Sequence, residues 1–166
     1  MAEAEVTALL AEFDRAIAEE TDPDAPFAAL QRFSAALVGV RLFTVMTTDL
    51  AAGLARRAFS SDPVAYPASG VKPIRPDAWF ALISEQRQAF VANSIADIAK
   101  VFPDHELIAS LGCGSVVNLP VFIGNSLMGT INILHEEGYY TPERVSRFVA
   151  YANLPAKLAM LAAGRR

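Results

Sequence analysis

Residues 115–135 read Ser115-Val-Val-Asn-Leu-Pro-Val-Phe-Ile-Gly-Asn-Ser-Leu-Met-Gly-Thr-Ile-Asn-Ile-Leu-His135, two apolar runs joined by Gly124-Asn125. A Gly-Asn pair between two such runs predicts an antiparallel hairpin with a two-residue turn. A pure core hairpin needs no polar side chain, yet Asn118, Thr130 and Asn132 lie inside the two strands. Buried amides and hydroxyls need hydrogen-bond partners from the protein, water or a ligand.

A regular two-residue turn sets the pairing of this hairpin. Ile123 then faces Ser126, and the register continues to Leu119 with Thr130 and to Val117 with Asn132, because opposed residues share a sheet face. Thr130 and Asn132 are therefore expected on one face and Asn118 on the other, so that only one of these groups lines a pocket. Both faces are mainly apolar, which predicts terminal helices over one and the middle loop and its helices over the other.

The rest of the chain alternates helices with short strands. Apolar residues at three- and four-residue steps predict amphipathic helices at both ends. Turn residues mark the boundaries between elements, and Asp24, Asp77 and Thr141 are the predicted helix caps. The order predicts an α+β domain with one central antiparallel sheet. The predicted elements are helices at 2–20, 24–39, 77–86, 103–111 and from Thr141 onward, strands at 41–48, 54–60 and 89–92, a loop at 61–76 and a connecting segment at 93–100.

Composition excludes several classes of protein. The chain has 166 residues, 53% of them hydrophobic and 19% charged, which predicts one globular domain. The net charge is −4 without a basic stripe, so we expect no nucleic-acid partner. A single cysteine excludes an internal disulfide and a multi-cysteine zinc site, and it is typical of the cytoplasm. We find no signal peptide and no apolar run of the ~20 residues that a membrane span needs, so no membrane partner is expected.

The hairpin at 118–134 resembles the closing hairpin of a GAF domain. That family pairs an apolar strand ending in proline with a glycine nine positions later, and Pro120 and Gly129 match this spacing. Tyr140-Thr-Pro-Glu143 and the apolar helix after it are also similar to the family pattern. The resemblance covers about residues 5–160 and implies that residues 1–166 form a single, free-standing GAF domain.

The resemblance implies a PAS-like sheet of five to six strands, with terminal helices on one face and a small-molecule pocket on the other. GAF domains bind cyclic nucleotides, haem, bilins, amino acids and other metabolites, and many are sensory modules. The expected function is thus a cytoplasmic, regulatory, small-molecule-binding protein whose ligand and cofactor are not named by the sequence. The Asn-Lys-Phe…Phe-Asp-Glu pattern of cyclic-nucleotide-binding relatives is absent. The amphipathic first and last helices predict a homodimer.

Several side chains are candidate ligand contacts. Trp79 and Tyr66 flank the proline-rich loop. Trp79 is most simply a core residue that covers the sheet, and as a pocket wall it would suit a flat or apolar ligand. Asp97 is a candidate partner for a ligand amine, with a helix cap or a solvated turn as the alternative. His105 precedes a short helix where pocket residues fall in this family, but it makes no metal-ligand spacing, so we predict no metal site. Arg56 and Arg57 point to opposite faces of a strand, so one is a candidate anion partner.

Cys113 and Ser115 lie in Leu-Gly-Cys-Gly-Ser at a strand entrance and complete the candidate site with Thr130 and Asn132. A thiol there is a candidate nucleophile or redox group if a cation or base activates it; otherwise Cys113 is a small buried apolar residue. The alternative function is therefore a Cys113-dependent redox enzyme related to free methionine sulfoxide reductases. Those enzymes use several cysteines, so the single cysteine disfavours this alternative. A third possibility is an interaction module whose pocket has collapsed.

Overall fold

Six strands and six helices make up the chain, which the computed structural model describes at residues 1–68 and 70–164. The order along the chain alternates helical and extended segments as predicted. The strands are β1 Leu42–Asp49, β2 Leu54–Ser60, β3 Val71–Pro73, β4 Phe90–Ala92, β5 Ser115–Ile123 and β6 Ser126–His135. The helices are α1 Glu3–Glu19, α2 Ala25–Val38, α3 Ala78–Ser84, α4 Ile95–Ala99, α5 His105–Ser110 and α6 Pro142–Ala163.

The strands form one antiparallel sheet in the order β3-β2-β1-β6-β5-β4. The closing hairpin, β5 and β6, lies in its interior between β1 and β4. This confirms the predicted α+β class with a central sheet of five to six strands. Each hairpin strand has a neighbouring strand on both sides, so neither is an open edge of the sheet.

The terminal helices α1, α2 and α6 cover one face of the sheet. Phe43 and Ile133 from the strands and Phe148 from α6 are fully buried in the cluster between them. Full burial of one such side chain contributes about 1.5–3 kcal/mol. The terminal helices thus cover one face of the sheet. The other face packs against the loop and short helices between β2 and β5, as the apolar character of both faces predicts.

Two of the three predicted caps make the expected hydrogen bond, whereas Asp24 precedes α2 without a side-chain cap hydrogen bond. Asp77 accepts a hydrogen bond from the Phe80 backbone at 2.8 Å and caps α3, and Thr141 caps α6. Two short elements were not predicted. β3 lies in the segment expected to be a loop, where its residues are all exposed, and α4 lies in the segment expected to be a connection. Neither is long enough to show a hydrophobic period.

The predicted hairpin register is wrong beyond the first pairs. Ile123 does face Ser126, but a β-bulge follows, and Leu119 pairs with Ile131 rather than with Thr130. Asn118 pairs directly with Asn132. The bulge leaves Met128 as the extra residue of β6, which shifts every later pair by one. Asn118, Thr130 and Asn132 therefore share one face, contrary to the expectation that Asn118 lies apart.

Gly129 makes this bulge possible. Its φ is +154°, and a Cβ there would collide with the carbonyl oxygen of Met46 on β1. Only glycine lets the two backbones approach so closely. A glycine inside a strand pattern is itself a signal of a bulge, so the sequence contained the information that corrects the register.

Within residues 1–68 and 70–164, no helix combines the length and the apolar character that crossing a bilayer requires.

Candidate ligand-binding site

A row of polar side chains crosses the sheet on the face opposite the terminal helices. Asn118 on β5, Asn132 on β6 and Thr44 on β1 are directly paired neighbours. The Asn118 Nδ2 donates to Asn132 Oδ1 at 2.7 Å, and the Asn132 Nδ2 donates to Thr44 Oγ1 at 3.1 Å. All three side chains are at least nine-tenths buried. Each amide thus has a hydrogen-bond partner within the row, as buried polar groups require.

Trp79 on α3 connects this row to the opposite wall. Its indole Nε1 donates to Asn118 Oδ1 at 3.0 Å. Its ring meets Phe102 edge to face, with 6.3 Å between ring centroids. This hydrogen bond fixes the orientation of the Trp79 side chain. The indole lies opposite the polar face of the sheet and lines the cavity between them.

A second row runs parallel to the first. Thr130 on β6 and Arg57 on β2 both pair with Met46 of β1. The Thr130 side chain is 2% exposed, and its hydroxyl has no hydrogen-bond partner among residues 1–68 and 70–164. A buried hydroxyl without a partner costs about 1–3 kcal/mol, so the Thr130 hydroxyl is a candidate contact for a bound water or ligand.

Arg57, Tyr66 and Asp104 form a cluster at one end of the second row. The guanidinium lies 3.9 Å above the Tyr66 ring, and its Nη2 is 3.9 Å from Asp104 Oδ2. Tyr66 donates its hydroxyl to the same Asp104 oxygen, and Arg57 Nη1 donates to the Pro67 carbonyl at 2.8 Å. Burial, followed by the nearby Asp104 carboxylate, raises the pKa of the Tyr66 phenol strongly. The cluster ties the loop after β2 to the start of α5.

These elements enclose a cavity of about 370 Å³. Pockets that bind small molecules span about 300–1,000 Å³, so this volume suits a small metabolite. The floor is the polar face of the sheet, and the opposite wall is mostly apolar and aromatic. The lining side chains include Thr44, Met46, Thr48, Ala55, Arg57, Tyr66, Lys72, Ile74, Arg75, Asp77, Trp79, Phe80, Phe102, Asp104, Asn118, Leu127, Thr130 and Asn132.

Four of the eight candidate side chains meet in this cavity: Tyr66, Trp79, Thr130 and Asn132. Asn118 joins them, so the expectation that only one of the polar groups lines the pocket is corrected; the bulge at Met128 is the reason. Ligand contacts at these residues remain a prediction.

The other four candidates lie outside the lining. Cys113 is 4% exposed within an apolar cluster, and burial raises the pKa of its thiol. Ser115 donates its hydroxyl to the Glu136 carbonyl at 2.7 Å. Asp97 is exposed on α4 and pairs with Lys100 at 2.7 Å, a contact that lowers the pKa of its carboxyl group. His105 is the first residue of α5, one position after the cavity residue Asp104.

Sequence reasoning missed three cavity residues on β1. Thr44, Met46 and Thr48 alternate along the strand and face the cavity, whereas Phe43 and Val45, on either side of Thr44, are buried under the terminal helices. This period of two was readable in the sequence. The pattern alone does not show that this face of β1 lines a cavity, because that depends on the pairing of β1 with β6.

Metal binding finds no support in the described part of the chain. There, histidine, cysteine and carboxylate side chains nowhere gather in groups of three or more that would hold an ion.

Comparison with known proteins rests on structure. No protein-family model matches the chain, and no curated protein matches its sequence. Among solved structures, it is similar to the GAF domain of an Acinetobacter phosphoenolpyruvate-protein phosphotransferase, at 10% identity and a TM-score of 0.71, covering 100% of this chain and 98% of that one. The fold extends over essentially the whole of both.

The chain has the GAF-domain fold. It is also similar to the GAF domain of a Bacillus halodurans two-component sensor histidine kinase, at 12% identity and a TM-score of 0.68, covering 87% of this chain and 97% of that one. The GAF-B domain of DevS from Mycobacterium smegmatis is 18% identical, with a TM-score of 0.60 over 87% of this chain and 98% of that one. At these identities the similarity shows the GAF fold alone.

Proposed function

We propose that this GAF domain binds a small organic molecule in the cavity beneath Trp79 and acts as a cytoplasmic sensory or regulatory module. The observation that carries the proposal is the buried hydroxyl of Thr130, which lacks a protein partner in the described chain, on a residue that lines a cavity of about 370 Å³. A ligand that pairs with this hydroxyl would remove the cost of leaving it buried without a partner. The cavity volume also counts against an interaction module with a collapsed pocket.

A cysteine enzyme is the weaker alternative. The reactive form of a cysteine is the thiolate, which needs exposure and a lowered pKa. Cys113 is buried, its pKa is raised by that burial, and its sulfur lies 4.0 Å from the Leu111 carbonyl oxygen. These features favour a structural role for Cys113 and a binding function for the domain.

We also propose that the domain forms a homodimer through α6. Four large side chains on this helix are 41–65% exposed. Their spacing of three, four and three residues is that of the seam of a coiled coil. A second copy of the same helix would cover this stripe symmetrically. Its members are Tyr151, Leu154, Leu158 and Leu161.

Ligand binding is tested on freshly purified protein by native mass spectrometry and by thermal denaturation with a metabolite panel. A ligand that binds only the folded state raises the melting temperature. Ala55→Trp should abolish the shift in melting temperature, because the indole would fill the cavity from β2. Arg56→Trp should retain the shift, because Arg56 is exposed on the opposite face of the same strand. The absence of both an adduct and any stabilising compound in the wild type would refute the proposed function.

A further inference from the structure

Positive charge is concentrated at the cavity although the whole chain carries a net charge of −4. The cavity lining has three cationic side chains, Arg57, Lys72 and Arg75, and two carboxylates, Asp77 and Asp104. The Asp77 carboxylate is occupied as the cap of α3. Neither Lys72 nor Arg75 makes an ion pair with a carboxylate of residues 1–68 and 70–164. The local field therefore favours an anionic ligand.

Arg57 has unused hydrogen-bonding capacity. Its Nη1 donates to the Pro67 carbonyl, but its Nη2 is 3.9 Å from Asp104, beyond hydrogen-bond distance. Its Nε is buried and has no hydrogen-bond partner in the described chain. A guanidinium offers five N–H donors, and two of them match the two oxygens of a carboxylate. A ligand carboxylate would accept hydrogen bonds from the Arg57 donors that have no acceptor in the protein.

Thr130 lies at the other end of the same row. Both it and Arg57 pair with Met46, so the three residues cross neighbouring strands in line. Adjacent strands are about 4.8 Å apart, which places the backbones of the two outer residues roughly 10 Å apart. Met46 lies between them on β1 and lines the cavity, as do Trp79 and Phe80 of α3 on the opposite wall. Thioethers and aromatic edges both favour contact with a flat ring.

Building on the proposed function, we propose that the ligand is a small aromatic carboxylate with a hydroxyl group at the end remote from its carboxylate. Arg57 binds the carboxylate, Met46 and Trp79 enclose the ring, and Thr130 pairs with the hydroxyl. The polar row of Asn118, Asn132 and Thr44 is already satisfied internally and positions Trp79 rather than the ligand.

Isothermal titration calorimetry at pH 7.5 on the full chain tests this with four probes. They are 4-hydroxyphenylacetate, phenylacetate, 4-hydroxyphenylacetamide and acetate. The hydroxylated acid should bind about ten- to hundredfold more tightly than its amide, which has the same shape without the charge. It should bind about three- to tenfold more tightly than phenylacetate. Acetate, which has no ring, should not bind measurably.

Variants then assign each preference to one residue. Arg57→Gln should remove most of the preference for acid over amide, leaving the smaller part that Lys72 and Arg75 contribute, while Arg56→Gln, a change at its exposed neighbour, retains the full preference. Thr130→Val should erase the preference for the hydroxyl and keep the preference for the acid. These readouts are ratios between ligands within one variant, so a general loss of stability does not imitate them.

The two levels of the proposal fail in different ways. Equal affinity for acid and amide in the wild type, or no binding of any of the four probes, overturns the aromatic-carboxylate ligand even when other compounds bind. A native mass spectrum without any adduct, together with a metabolite panel that never shifts the melting temperature, overturns the binding function as well.

Discussion

Asn118 and Asn132 face each other across β5 and β6, and the amide of the first donates to the side-chain oxygen of the second at 2.7 Å. This pair is the middle of a buried chain of hydrogen bonds that runs from the Trp79 indole to the Thr44 hydroxyl. The chain explains why an otherwise apolar hairpin contains amides. They orient Trp79 over the sheet and so maintain the cavity, while Thr130 in the next row keeps an unpaired hydroxyl.

Asn132→Ala should destabilise the protein by about 2–3 kcal/mol, because it leaves the Asn118 amide buried without its acceptor and opens a small void. Chemical denaturation with urea measures this loss as a lower midpoint at unchanged slope.

Asn153→Ala is the matched control. This asparagine is half-buried on α6, and alanine is the better helix former, so its stability should change by less than about 0.5 kcal/mol. Equal stability of the two variants would show that the hydrogen-bonded chain contributes nothing to folding.

Much of the fold was predictable from periodicity. The helices that cover the sheet and the two strands from 42 to 60 follow from local patterns, and the caps Asp77 and Thr141 lie where expected. β3 was missed because three exposed residues carry no pattern. α4 was missed because a single turn of helix is specified by its Ser94 cap rather than by a hydrophobic face.

The site was only partly predictable, because it depends on register. One extra residue at Met128 moves Asn118 onto the face of Thr130 and Asn132. Tertiary contacts between distant segments, such as Arg57 with Asp104, have no local signal at all. Cys113 was a candidate because it is the single cysteine, but the fold buries it in an apolar cluster.

Gly129→Ala should prevent stable folding. The added Cβ would meet the Met46 carbonyl oxygen, and neither backbone can move without breaking the central ladder; a cost above about 4 kcal/mol is expected. Circular dichroism and thermal denaturation measure it. Gly53→Ala is the control, since Gly53 has a φ of +67° with open space around it, and the left-handed backbone alone costs about 1–2 kcal/mol. Similar melting temperatures for the two variants would contradict the bulge geometry.

The Cys113 thiol should be inert in the native protein. Burial both blocks access and raises its pKa, so the thiolate fraction at pH 8 is lower than in a free cysteine. Labelling with iodoacetamide should be at least about 100-fold slower than in urea, where the same residue is exposed. Native labelling at the rate of a free thiol would revive the redox enzyme.

Tyr66 should make stability fall at alkaline pH. Its pKa is raised above the ordinary value of 10.0, mainly by burial. Up to about pH 9 the phenol is protonated in both states, and its contribution to stability is fully present. Above about pH 10 the unfolded chain releases a proton that the native chain keeps, so the free energy of unfolding falls by up to about 1.4 kcal/mol per pH unit.

Denaturation with urea between pH 8 and 11 measures this slope. Tyr66→Phe should be less stable at pH 8, through its lost hydrogen bond to Asp104, yet its stability should fall less steeply above pH 10. Tyr140→Phe should also reduce the slope, because burial raises the pKa of Tyr140 too. An unchanged slope in Tyr66→Phe would show that this phenol ionises normally in the folded state.

Leu158→Glu should convert the proposed dimer to a monomer. Leu158 lies near the centre of the exposed stripe on α6 and is 41% exposed in the single chain. A pair of carboxylates facing each other across a symmetric helix contact would be desolvated and would repel each other. Sedimentation velocity should give about twice the chain mass of 17.8 kDa for the wild type and a single chain mass for the variant. Leu50→Glu, in the exposed turn after β1, is the control and should remain dimeric. A wild type that sediments as a monomer at all concentrations would contradict the α6 dimer but would leave the cavity proposals intact.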